Sequence, residues 1–96
     1  MQVNLSAAAR RDISGIWTYS AERWGKARAD LYVRALAKSF DELARETIAG
    51  RSCDGIRPGY YKLAVGAHLI FYRKPSPDQI AVVRILHRRM DVDQHL

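Results

Sequence analysis

A chain of 96 residues has material for one hydrophobic core and not for a second, so a single domain spanning residues 1–96 is expected. Its 16 lysines and arginines against 10 acidic residues give a net charge of +6, which favours anionic partners such as a nucleic acid or an acidic protein segment over a bare solvated surface. The lone Cys53 excludes an intramolecular disulfide and a cysteine metal cage, and implies a reducing compartment. No apolar run approaches the ~20 residues that span a bilayer, and the opening "MQVNLSAAARRD" has no leader-like apolar stretch. A soluble, cytoplasmic protein with no membrane contact is expected.

In "QVNLS" polar and apolar residues alternate, with Val3 and Leu5 on one side, which predicts a short strand. Ser6 then offers a hydroxyl to the free amides of a first helical turn. Ala9, Ile13, Ile16 or Trp17, Ser20 and Trp24 recur at helical spacing, predicting an amphipathic helix over residues 7–23. Gly25 supplies a left-handed stop. A second helix follows from Lys26 to about Glu46, with Ala29, Val33, Leu36, Phe40 and Leu43 on its apolar stripe. So short a link forces the two helices into an antiparallel hairpin.

The stretch "AGRSCDGIRPG", residues 49–59, breaks all periodicity and predicts an irregular connection. Beyond it "YYKLAV" and "HLIFYRK" flank Gly66 and Ala67 as a β-hairpin, and the "PSPD" turn leads into a third strand, "QIAVVRILH". The first strand is too short to stand alone and must join the sheet at long range. The fold class is α+β, in the order β-α-α-β-β-β: an N-terminal strand and a helix hairpin packed on a mostly antiparallel sheet.

Catalytic motifs are scarce. His68, His87 and His95 lack a companion cysteine pair or carboxylate cluster, so no metal is expected. Cys53 has no evident base, no strand-to-helix nucleophile elbow is present, and Gly50, Gly55 and Gly59 lack phosphate-loop spacing, so no cofactor is expected either. Trp17 and Trp24, seven residues apart, would stack nucleic-acid bases if exposed, but at helical spacing they are expected to fill the core between the helices. Alternation puts Tyr60, Lys62 and Ala64 on one sheet face and Tyr61, Leu63 and Val65 toward the helices. It likewise separates Ile80, Val82, Arg84 and Leu86 from Ala81, Val83, Ile85 and His87, so the last strand is apolar on both sides and should be covered twice, once by its own helices and once by a partner segment. Arg84 needs a carboxylate or phosphate fork, and an internal pair with Asp41 or Asp91 would serve. His87, Arg88 and Arg89 leave the sheet as a cationic lip for an anion, while Met90 is expected in the core.

The residues "GYYKLAVGAHLIFYRK", the strand after them and the exit "ILHRRMDVDQHL" together resemble the ParE branch of the RelE/ParE toxin superfamily, over essentially the whole chain. The resemblance implies the toxin of a type II toxin-antitoxin module that traps DNA gyrase. It also implies a hetero-oligomer with a ParD-like antitoxin, a ribbon-helix-helix protein whose acidic C-terminal segment wraps the toxin. The partner- and target-binding residues it points to are Tyr60, Lys62, Arg73, Arg84, His87, Arg88, Arg89 and His95, with no catalytic residue among them.

The related RelE branch, ribosome-dependent messenger ribonucleases, is the alternative. Lys62 falls where that branch keeps a strand lysine, Arg89 matches its late arginine and His95 lies near its terminal tyrosine. Ala64, however, stands in place of a second lysine, and His68 and Leu69 stand where an arginine is kept. Each lost phosphate-site donor would cost about 2.7–4 kcal/mol of transition-state stabilisation. A toxin that does not cut RNA is therefore expected. A degenerate copy that only binds its antitoxin is a third possibility.

Overall fold

The computed structural model describes residues 1–96. The elements are β1 (Gln2–Leu5), α1 (Ala7–Trp24), α2 (Lys26–Ala44), β2 (Arg51–Ser52), β3 (Tyr60–Val65), β4 (His68–Ser76), β5 (Gln79–His87) and α3 (Val92–His95). The α+β class, the helix hairpin and the mostly antiparallel sheet are as expected. Two short elements escape the sequence pattern: β2 inside the irregular connection, and the single turn α3.

Strand order is β1-β5-β4-β3-β2. Only β1 runs parallel to its neighbour, pairing Gln2–Leu5 with Gln79–Val82 of β5, which is the long-range closure that so short a strand requires. Ser6 links this closure to the first helix. Its Oγ accepts from the Ala9 amide at 2.9 Å as an N-cap and donates to the Val83 carbonyl at 2.6 Å.

Gly25 ends α1 and begins α2 at φ 92°, ψ 161°. This is not the expected left-handed cap but an extended conformation at positive φ, a region open to glycine almost alone. Its amide donates to the Ala21 carbonyl, and its own carbonyl accepts from Ala29. One residue therefore satisfies both helix ends and folds the hairpin.

The main core lies between hairpin and sheet, where Ala9, Ile16, Leu36 and Leu43 meet Ile70, Tyr72, Ile80, Val82 and Ile85. Each large side chain buried there contributes on the order of 1.5–3 kcal/mol. A second cluster of Cys53, Phe71 and Leu86 occupies the far face, with Tyr60, Leu69, Val92 and Leu96 packed against it. The second cover of β5, expected from a partner segment, is instead supplied on the outer side by this chain's own C-terminal turn.

Strict alternation fails along β5. Phe71 pairs with Arg84 but Tyr72 pairs with Val82, so Val83 is an extra residue in a β-bulge. A one-residue insertion exchanges the faces of everything that follows. Ile80 and Val82 face the helices as expected from each other's spacing, yet beyond the bulge it is Ile85 that returns to the main core while Leu86 joins the outer cluster.

The tryptophans also depart from expectation. Trp17 is only half-buried and donates from Nε1 to Asp30 Oδ1 at 2.8 Å, and Trp24 is 54% exposed. The buried residues nearest Gly25 are Ser20 and Ala29, and a seam of such small side chains brings the helices too close to admit an indole. Met90, expected in the core, is 46% exposed in the turn after β5.

Two glycines make opposite predictions. Gly15 sits within α1 with open space where a methyl group would stand, so Gly15→Ala should raise stability in urea melts by about 0.5–1 kcal/mol. At Gly50 an added Cβ would lie 2.6 Å from the Lys62 carbonyl and 2.7 Å from Tyr72 Oη. Gly50→Ala should therefore lower stability by about 1–3 kcal/mol.

Candidate functional site

Cross-strand partners share a face. The pairs Arg51–Lys62, Tyr60–Arg73, Lys62–Phe71 and Phe71–Arg84 therefore set Arg51, Tyr60, Lys62, Arg73 and Arg84 on the sheet face turned away from the helices. Arg57, from the loop before β3, lies 5.8 Å from the Tyr60 ring centroid, a cation–π contact. Arg51, Lys62 and Arg73 have no acidic partner within ion-pair distance, because the sole salt bridge joins Arg84 to Asp12. Cys53 borders this face without being a nucleophile. Burial pushes its thiol up, Lys62 partly opposes the rise and Asp54 adds to it, so the thiolate is disfavoured.

Arg84 is committed elsewhere. Its Nε and Nη2 donate to the two Asp12 oxygens at 2.8 and 2.9 Å, and Nη1 donates to the His95 carbonyl at 2.9 Å. The partner is thus neither Asp41 nor Asp91 but a residue of α1. Asp12 lies where β1 has already ended, and its Oδ2 also accepts the Ile85 amide at 2.9 Å, satisfying the open edge of β5. The hydrogen bonds it donates to Asp12 hold the guanidinium proton more firmly than usual, outweighing partial burial.

His87 faces the other way. It lies directly across from His68, with ring centroids 5.3 Å apart and planes at 83°. His87 Nδ1 accepts from the Arg89 amide at 3.1 Å, and His68 Nδ1 lies 2.6 Å from Tyr32 Oη. The same Tyr32 oxygen accepts the Ala67 amide at 3.0 Å and reaches the Val65 carbonyl at 3.3 Å, so α2 grips the β3–β4 turn. Gly66 makes this possible: at φ 57° a Cβ would stand 2.7 Å from Tyr32 Oη.

Above the histidines opens a groove of about 530 Å³, walled by Tyr19, Trp24, Leu31, Tyr32 and Arg28. Tyr19, Trp24 and Leu31 are 55%, 54% and 64% exposed, and Arg23 lies 5.5 and 5.7 Å from the Tyr19 and Trp24 rings. A second hollow of about 420 Å³ adjoins it across His68 and His87, bordered by Arg11, Asp12 and Met90.

The eight candidate residues therefore do not form one site. Tyr60, Lys62, Arg73 and Arg84 share the outer face; His95 meets them only through its carbonyl on Arg84. His87 belongs to the groove, and Arg88 and Arg89 are exposed in the turn between. The groove itself, with Tyr19, Trp24, Leu31, Tyr32 and His68, is what the sequence pattern missed. The signal available was Trp24, at the end of a helix whose nearest buried residue is the small Ser20.

Removing the Asp12 carboxylate leaves a guanidinium and a β5 amide unpaired, so Asp12→Ala should cost about 2 kcal/mol in chemical denaturation. His68 makes stability depend on pH. Burial, then the neighbouring His87, lower its pKa below the ordinary 6.5, against a weaker opposing pull from Asp12. The unfolded chain thus takes up this proton at higher pH than the folded one, and the stabilisation present above 6.5 is lost as pH falls through it. The urea midpoint should drop between pH 7.5 and 5.5, and drop less in His68→Gln.

Residues 3–92 match the family model described as the ParE toxin of the type II toxin-antitoxin system parDE. The chain is 47% identical to Toxin ParE1 of Mycobacterium tuberculosis, over 96% of its own length and 94% of that protein. With Toxin ParE1 of Caulobacter vibrioides it shares 36% identity over the same proportions. The structure of a chain from the chromosomal ParDE system of P. aeruginosa superposes with a TM-score of 0.77 at 20% identity, covering 91% of this chain and 95% of that one, a likeness of fold. With nearly the whole sequence matched and the strand–hairpin–sheet architecture in place, the chain belongs to the ParE toxin family of type II toxin-antitoxin systems.

Proposed function

We propose that the chain, as a single domain in the cytoplasm, inhibits DNA gyrase by occupying it, and that a ParD-like antitoxin neutralises it in a hetero-oligomer. The observation that carries the first half is the state of Arg84. On the outer face, where an RNA-cutting relative would gather cations round a phosphate, this arginine is spent on Asp12 and the His95 carbonyl. The cations left beside Tyr60, namely Arg51, Lys62 and Arg73, are suited to gripping an anionic or polar surface. Lys62 lies across from Phe71 and from Arg51, with no carboxylate or imidazole opposite it to move a proton. This supports binding without bond-breaking, with Arg88 and Arg89 extending the charge at the sheet exit.

The antitoxin's seat is supported by the groove. Exposed Tyr19, Trp24 and Leu31, rimmed by Arg23 and Arg28, match the apolar face and acidic flank of an amphipathic segment that folds on binding. The excess of cations round the rim disfavours a second copy of this chain there.

Gyrase supercoiling and DNA-cleavage assays run beside a ribosome-bound messenger cleavage assay test this reading. Purified protein should stall gyrase and leave messenger intact; messenger cleavage abolished by His95→Ala would overturn it. Arg88→Glu combined with Arg89→Glu should weaken gyrase inhibition by about tenfold, the scale of roughly 1.4 kcal/mol. Stability should move by no more than about 0.5 kcal/mol, since both side chains are exposed.

A further inference from the structure

The free nitrogens of the groove have a use that fold and charge do not assign. Both Nδ1 atoms are taken, His87's by the Arg89 amide and His68's by Tyr32. Tyr32 has one hydroxyl proton, which either the Val65 carbonyl at 3.3 Å or His68 Nδ1 at 2.6 Å can receive. Neutral His87 therefore carries its proton on Nε2, and neutral His68 does so when Tyr32 donates to its Nδ1. Neither Nε2 has a partner in the protein, and no buried side-chain nitrogen or oxygen is left unpaired, so both are accessible from the groove and hollow that the two rings line. The result is two imidazoles with centroids 5.3 Å apart, their Nε2 atoms unpaired, on a concave aromatic wall.

The charges facing this pair favour an anion. From α2 come Arg28 and Tyr32, and from α1 come Arg11, Tyr19 and Asp12. Asp12 is the one acid, and its oxygens are engaged by Arg84 and the Ile85 amide. Arg88 and Arg89 follow His87 in the chain. A metal ion is disfavoured by the same bonds, because a ring ligating through Nε2 needs a proton on Nδ1, and that of His87 is accepting one.

We infer that His68 and His87 together receive a carboxylate from the acidic segment that fills the groove, and hold it more tightly as the imidazoles take up protons. The inference rests on the groove being the antitoxin's seat. Tyr32 accommodates the change: when His68 Nδ1 becomes protonated, the phenol turns its own proton to the Val65 carbonyl, 3.3 Å away, and accepts from the imidazolium. Charge-assisted bonds then replace neutral ones at the carboxylate. Burial and the neighbouring His87, which resist protonation of His68 in the empty groove, are offset by the incoming anion, so ligand and proton bind cooperatively.

The test uses the full chain, histidine-selective NMR and two probes that differ in one group, N-acetyl-tryptophan and its neutral amide. The carboxylate should shift the His68 and His87 ring signals, raise their titration midpoints, and bind about tenfold more tightly at pH 5.5 than at 7.5; His95 should not respond. The amide should show no such pH dependence. The variant His68→Gln with His87→Gln, checked for folding by its amide spectrum, should no longer distinguish the probes, and His68→Gln alone should lose part of the preference. Equal response to acid and amide, no response to either, or a flat pH profile would overturn the inference. A clear carboxylate preference accompanied by antitoxin binding that Trp24→Glu leaves unchanged would support the histidine site and remove the antitoxin from it.

Discussion

Beyond residue 82 β5 has β4 on one side but no longer β1 on the other, and the fold depends on side chains of the first helix to cover that open side. Ser6 takes the Val83 carbonyl and Asp12 takes the Ile85 amide, so two residues at one end of α1 satisfy the backbone that β1 is too short to reach. An edge strand left bare there would be an invitation to pair with another chain. The same Asp12 carboxylate fixes Arg84, which in turn fixes the carbonyl of His95. Sheet edge, helix and C-terminal turn are thereby tied through a single acid of α1.

That tie divides the molecule's surface by chemistry. On the outer face a cation is withdrawn from circulation and the remaining ones stand around Tyr60 above a small apolar cluster. On the helix side the hairpin and the β3–β4 turn leave an aromatic groove floored by two imidazoles. The first face is flat and charged, the second concave and amphipathic. On the proposed reading, antitoxin and target take surfaces that differ in this way and need not compete through identical contacts.

Much of the fold is legible in the sequence because its period-two and period-3.6 patterns are clean, and because Gly25, Gly66 and the "PSPD" turn punctuate them. The helix hairpin and the four longer strands follow from those signals within one to three residues. What was hidden is non-local. The bulge at Val83 has no local mark, because valine suits a strand in either register, and it is the Ser6 contact that accompanies it in space. The partner of Arg84 was equally hidden: Asp12, 72 residues away, is one of several acids that could have served. The candidate residues suffered for the same reason. Lysine, arginine and histidine at a sheet exit look alike in sequence, whereas pairing sends His87 to the groove and Lys62 to the opposite side.

Gly25 carries a consequence of its own. Because the two long helices meet at one residue whose backbone conformation is nearly exclusive to glycine, the hinge end of the aromatic cleft has almost no geometric slack. Widening or narrowing it by loop insertion would require rebuilding both helix ends. A change in what the cleft accepts would therefore come more readily from exchanging the side chains along its walls than from altering the length of the connector.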